Sequence, residues 1–354
     1  MVGKTTSNKA TPASRGGPFG VAAGARGPAA HGTRDQQRLL DVFANAFGTV
    51  LASEAFPAVL QDIKQALFRR DFAAAFAAES CLEAYAARWS PTRALCYARV
   101  LHDVGDHVQQ MLGCEGHAKQ GDLQRGSTDE PPRGSNVFNV VSIGGCAAEH
   151  VAFASYVHDT SSRGALTLLD AAPWSYVTSR LHNALTSAPP LSKYASAAAM
   201  ASNQPLLLDA QLPTTFCQSD VLSLTQERLT ELVGADPLLV TLLFTLNELY
   251  SDGGLGKTTA FLRSLGGAVA SQSLLLVVDS PGSYSEAAVG KDKKRYPMQW
   301  LLDHTLLSAE ARDYWWEKLE SHDSVWFRIP EALSYPIQLE NMRYQMHLYR
   351  IHKP

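Results

Sequence analysis

Short apolar runs recur after residue 135: Val137 to Ile143, Ala165 to Leu169, Thr214 to Cys217, Leu238 to Leu246, Ser273 to Val278 and Val325 to Phe327, with helical stretches between them. This rhythm is the strongest constraint on the fold. Runs that are apolar at consecutive positions must be covered on both faces, which calls for a parallel sheet clothed by helices. The last segment differs, because Met342, Tyr344, Met346 and Leu348 alternate with Arg343, Gln345 and His347. One apolar and one polar face predict an antiparallel or edge strand that closes the sheet. The expected class is α/β, a Rossmann-like sheet that is mostly parallel with an antiparallel C-terminal strand.

Upstream the periodicity is helical. After Pro57, a favourable first-turn residue, Leu60, Ile63 and Leu67 share one face. The chain is therefore divided into a tail (1–34), a helical N-terminal domain (35–112), a linker (113–134) and the α/β domain (135–354). The tail holds Lys and Arg but no acid, and reads as solvated chain or, alternatively, as a nuclear or organellar address. In the helical domain Lys64, Arg69, Arg70, Arg88, Arg93 and Arg99 lie among Trp89 and Tyr97. These residues make either a basic, aromatic surface for RNA or an ordinary solvated helix face.

Charge narrows the possible partners. The net charge of -3 gives the whole molecule no positive field, so any nucleic-acid contact has to be local. Cys81, Cys96, Cys114, Cys146 and Cys217 are scattered without a CxxC pair, so neither a disulfide framework nor a metal site is expected. The longest apolar run, Leu238 to Leu246, is about half of a membrane span. A soluble intracellular protein without membrane contact is expected.

The first strand leads into Gly144-Gly145-Cys146-Ala147-Ala148-Glu149-His150, a bend of small residues able to approach a ligand closely. The second run ends at Asp170, whose carboxylate suits the two ribose hydroxyls of a nucleoside cofactor. The third is followed by Asp220 and Val221, which suit an adenine amino group and ring; taken alone, Asp220 also reads as a helix N-cap. Gly144, Gly145, Cys146, Glu149, Asp170, Asp220 and Val221 are thus the candidate cofactor residues. A dehydrogenase shares the first two features. The broken GxGxxG pattern, the acid repeated after the third strand and the alternating last strand favour S-adenosylmethionine (SAM) over a dinucleotide. Beyond the fourth and fifth strands, Asn247, Glu248 and Asp279 are the candidate catalytic residues, with the first-turn helix acid as the alternative for Glu248. Tyr284 and Trp300 are candidate base-stacking residues, though Trp300 reads more readily as core.

Ser251-Asp252-Gly253-Gly254-Leu255-Gly256-Lys257-Thr258-Thr259 approaches a phosphate-binding P-loop. Ser251 replaces its first glycine, and Asp252 would repel phosphate. A flexible glycine-rich loop before a helix starting near Thr258 is the better reading.

Four blocks carry a resemblance: Ala66 to Phe72, Leu82 to Pro91, Phe244 to Tyr250 and Tyr296 to Leu302. In them, across roughly residues 55 to 353, the chain resembles the fungal large-subunit (25S) rRNA uridine-N3 methyltransferase family. The resemblance implies a class I methyltransferase fold, SAM as donor, and large-subunit rRNA or a pre-ribosome as partner, in the nucleus, nucleolus or cytoplasm. From the basic, aromatic helix surface and the loop after the fifth run, Arg88, Trp89, Arg93 and Tyr284 are the candidate RNA-contacting residues. The sequence departs from the family at Cys146 and Ala148, where more glycine is expected. Binding of SAM without transfer, and a P-loop ATPase, are the alternatives.

Overall fold

The computed structural model describes residues 32–113, 137–282, 284–289, 292–308 and 313–354, with the backbone alone in 284–289 and 292–295. The expected tail and linker lie outside these residues, save 32–34 and Gly113. The N-terminal part is six helices, α1 (Thr33–Leu51), α2 (Phe56–Phe68), α3 (Phe72–Ala75), α4 (Glu79–Arg88), α5 (Ser90–Asp103) and α6 (Gly105–Gly113). Pro57 and Pro91 sit in the first turns of α2 and α5, where the missing N–H is not needed. Asp71 caps α3 by accepting from the Ala74 N–H.

From residue 137 strands and helices alternate: β1 (Val137–Ile143), α7 (Ala148–Asp159), β2 (Arg163–Asp170), α8 (Ser175–Thr186), α9 (Ala197–Ala201), β3 (Thr214–Gln218), α10 (Gln226–Val233) and β4 (Leu239–Leu243). Then come α11 (Leu246–Glu248), a π-helical turn (Leu249–Gly253), α12 (Gly254–Ala268), β5 (Leu274–Asp279), a hairpin of β6 (Tyr284–Val289) and β7 (Asp292–Pro297), α13 (Met298–Leu307), β8 (Trp315–Phe327) and β9 (Met342–His352). The main sheet has the order β3-β2-β1-β4-β5-β9-β8. The first five strands are parallel, and β9 and β8 are antiparallel.

One expectation is corrected: Val325 to Phe327 is not a parallel strand but the end of the long antiparallel β8. The alternating segment is antiparallel, as expected, and lies inside the sheet, between β5 and β8. Its polar side chains are tolerated there because they bond to one another: Gln345 donates to the Ser280 carbonyl at 2.7 Å, His347 Nε2 meets Gln345 Oε1 at 3.1 Å, and Ser321 Oγ meets His347 Nδ1 at 2.9 Å.

Both sheet faces are dry, as continuous apolar runs require. On one face Val140, Leu166, Leu168, Leu239, Leu276 and Tyr344 pack with Phe43, Leu82, Leu95, Val151 and Val177, so the N-terminal helices share a core with the sheet. On the other, Val141, Leu169, Val240, Leu275 and Tyr349 pack with Leu229, Leu262, Leu265 and Leu302 of α10, α12 and α13. Among the described residues no single helix is long and apolar enough to cross a membrane.

Candidate active site

The strand order reverses between β1 and β4, and the crevice at such a reversal is where open α/β sheets bind ligands. Each strand end here is tied to its neighbour. The Gly144 N–H donates to the Leu169 carbonyl at 2.8 Å, Ser219 N–H to Asp170 at 2.9 Å, and Phe244 N–H to Val278 at 2.7 Å. Gly144 has φ +73°, and a Cβ built on it would meet Thr245 Cγ2 at 2.1 Å, so glycine is required for both conformation and space. Thr245 Oγ1 in turn donates to the carbonyls of Ile143 and Gly144, at 3.0 and 2.6 Å, locking the bend to the end of β4. Phe244, without glycine's freedom, holds φ +60° beside it, the kind of backbone strain that collects at functional sites.

A cleft of about 570 Å³ opens over these strand ends. Gly144, Asp170, Asp220, Val221, Glu248 and Lys257 line it from the sheet side, and Phe72 and Phe76 from the helical layer. Beneath the bend a smaller cavity of about 50 Å³ shares Phe76, Gly144, Asp170 and Glu248 with the cleft and adds Gly145, Cys146, Glu149, Tyr85 and Arg93. All seven candidate cofactor residues therefore line one or other of these two adjacent cavities. Asp220 also caps the turn that follows it, its Oδ1 accepting from the Leu222 N–H at 2.9 Å.

The site is acidic. Burial pushes the Asp170 carboxyl up to about 6, Glu149 to about 7 and Glu248 to about 8, with Asp279 and Asp170 adding repulsion at Glu248 against the attraction of Arg93. The catalytic candidates separate. Glu248 borders both cavities, whereas Asp279, only 2% exposed, borders neither. Its two oxygens accept from the Asn247 N–H at 3.0 Å and the Ser280 N–H at 2.7 Å. Asn247 Oδ1 is buried without a hydrogen-bond partner among the described residues.

The expected RNA surface of the helical domain is divided: Lys64, Arg69, Arg70 and Arg99 are exposed, whereas Arg88, Trp89 and Arg93 are partly buried and Tyr97 is buried. Arg88 pairs with Glu340 at 2.5 Å, and Trp89 packs on Tyr85 with ring centroids 5.1 Å apart. Arg93 faces the small cavity. Tyr284 begins β6, and its side chain lies outside the described residues. Trp300 is not core: 49% exposed, it stacks between Tyr296 and His304 at 4.9 and 5.2 Å.

The P-loop near-match is helical from Leu249 onward, and α12 begins at Gly254 rather than near Thr258. Thr258 is buried and donates back to the carbonyls of Leu249 and Gly254, so no phosphate cradle forms there. The segment instead brings Lys257 to the cleft. Phe72, Phe76, Tyr85 and Thr245 are not singled out by the sequence, and Lys257 is singled out only as the lysine of the P-loop near-match. The available signal was that Phe72 and Tyr85 fall inside the two N-terminal blocks of the resemblance.

The comparisons with known proteins agree with this geometry. A family model described as "Putative SAM-dependent methyltransferase" matches residues 43–350. The 25S rRNA (uridine(2843)-N(3))-methyltransferase of Saccharomyces cerevisiae is 31% identical over 316 residues, covering 82% of this chain and 76% of that protein. Among solved structures, the N-methyltransferase NodS from Bradyrhizobium japonicum with S-adenosyl-l-homocysteine aligns at TM-score 0.32 and 13% identity, over 76% of this chain and 95% of that one. An O-methyltransferase family protein from Burkholderia thailandensis aligns at 0.34 and 12%, over 90% and 70%. At these TM-scores the solved structures add no argument, and the fold class is read from the strand order itself.

Proposed function

From the premise that the chain belongs to the SAM-dependent methyltransferase family, we propose that it transfers the methyl group of SAM to N3 of a uridine in large-subunit rRNA. The observation that carries the substrate is the similarity to the yeast 25S rRNA uridine-N3 enzyme over most of both chains. The site is compatible with the donor: Gly144 and Asp170, at the ends of β1 and β2, line the cleft together with Val221. An acidic lining also suits a cationic sulfonium. Asp170 is assigned to the ribose hydroxyls, and Asp220 with Val221 to the adenine.

Bound SAM supplies an electrophilic methyl group on a good leaving group. The chain must do the rest. Uracil N3 carries a proton at neutral pH, so its nucleophilicity depends on removing that proton. Glu248 is the proton acceptor we assign, because it borders the cavities and its raised proton affinity lies near neutrality. Asp279 serves as the anchor that fixes the backbone of Asn247, whose unpartnered Oδ1 is left to orient the base edge. The rigid junction of Gly144 and Thr245 holds the two reactants in line.

RNA approach is assigned to the rim beyond β5 and β9. Gln345 pairs with Asp279, the last residue of β5, so Arg343 stands two residues beyond that strand end, opposite Trp326. Trp326 is 55% exposed, with the guanidiniums of Arg328 and Arg343 at 5.5 and 5.7 Å from its ring, a pairing that suits a base and its phosphate. The pre-ribosome is the natural form of the substrate, which sets the site of action in the nucleolus, nucleus or cytoplasm. The test is transfer of labelled methyl from SAM to large-subunit rRNA taken from cells that lack this protein, followed by mapping of the modified base. N3-methyluridine at one position is expected; label that never reaches rRNA, or reaches another atom, refutes the proposal.

A further inference from the structure

Resting on the methyl-donor reading of the cleft, we propose that Arg93 and Tyr85, which belong to the helical layer and not to the sheet, form the subsite for the α-carboxylate of the cofactor's amino-acid end. Arg93 stands on α5 and reaches the small cavity beneath the Gly144 bend. Its Nη1 donates to the Tyr85 hydroxyl, its one hydrogen-bond partner among the described residues. The rings of Phe244 and Tyr85 lie 5.1 and 5.4 Å from the guanidinium carbon and form apolar walls.

A guanidinium has five donors and keeps its charge at any accessible pH, and away from water it needs an anion. The cavity does not provide a firm one. Among the described residues no carboxylate hydrogen-bonds the Arg93 guanidinium, whose partner is the neutral Tyr85 hydroxyl. Arg93 is the one cation among the residues that border this cavity, alongside Glu149, Asp170 and Glu248. One cation and several carboxyls in a small space match a zwitterion: a carboxylate for the planar fork of Arg93, and an ammonium for the carboxyls. The small cavity adjoins the larger cleft, the two sharing Gly144 and Asp170 as lining residues, which suits a nucleoside joined to an amino acid. The helical layer thereby completes the cofactor site of the sheet.

The test is calorimetric binding of S-adenosylhomocysteine, which has the amino-acid end, and of 5′-methylthioadenosine, which lacks it, to the full chain and to its Arg93→Gln and Arg93→Lys variants. A hydrogen-bonded charge contact is worth about 1.5–3 kcal/mol. Arg93→Gln is therefore expected to weaken S-adenosylhomocysteine about ten- to a hundred-fold and to leave methylthioadenosine unchanged, with Arg93→Lys between. Equal weakening of both ligands, or of neither, overturns the assignment. If neither variant folds, the wild type decides: weaker binding of decarboxylated SAM than of SAM supports a carboxylate subsite, and equal binding overturns it. A wild-type chain with no affinity for S-adenosylhomocysteine would refute the methyl-donor reading itself, a separate outcome.

Discussion

Replacing Gly144 by alanine isolates the junction on which the site is built. At φ +73° an L-residue carries a penalty of about 1–2 kcal/mol. The added Cβ would also meet Thr245 Cγ2 at 2.1 Å, Oγ1 at 2.5 Å and Cβ at 2.8 Å. All three lie inside the distances real Cβ atoms keep, and such overpacking typically costs about 1–3 kcal/mol. The expected loss is about 2–5 kcal/mol, read as a lower urea midpoint at unchanged slope. Adding Thr245→Ala removes the two nearest atoms and leaves the third, so most of the overpacking is relieved while the backbone penalty stays. The pair should therefore fall short of additivity by about 1–3 kcal/mol, beyond the ~0.5 kcal/mol expected of independent sites. A Gly144→Ala variant within about 1 kcal/mol of wild type, or a double variant whose effects simply add, would show that the contact with Thr245 is not what demands glycine.

Protonation gives a second handle. Because Glu248 rises from 4.5 to about 8 on folding, the native state holds a proton that the unfolded chain releases, and stability falls as pH rises between those values. Urea unfolding from pH 5 to 8 should show a shallower decline for Glu248→Gln, and an unchanged slope would remove Glu248 as the titrating group. In methyl transfer, kcat/KM of the wild type should rise with pH toward 8, and Glu248→Gln should lose that rise along with most of its rate. Trp326→Ala should raise KM for rRNA about tenfold, within the 1–3 kcal/mol range of base stacking, while S-adenosylhomocysteine affinity stays constant; an unchanged KM would move the RNA path elsewhere.

Local pattern carried the strands. Their two dry faces follow from uninterrupted Val and Leu, and the alternation of Met342 to Leu348 marked β9 as different in kind. It did not reveal that β9 lies inside the sheet, because Gln345 and His347 read as solvent-facing until their partners Ser280 and Ser321 come from far along the chain. Arg88, Trp89 and Arg93 likewise read as a basic surface, since a helix shows its periodicity but not which face its neighbours will cover. Asp279 looked catalytic from its place at a strand end, but its carboxylate is used by two backbone N–H groups.

What the sequence determined by itself is the order of elements and the small-residue bend with its acids after successive strands, because these depend on residue type and short spacing. Tertiary structure alone decided that helix α5 delivers Arg93 beneath that bend, that Thr245 makes Gly144 obligatory, and that Glu248 rather than Asp279 borders the cleft. The reason is physical: proton affinity, steric exclusion and charge pairing are set by atoms a few ångströms away, and in this chain those atoms come from residues as distant in sequence as Arg93 and Glu248.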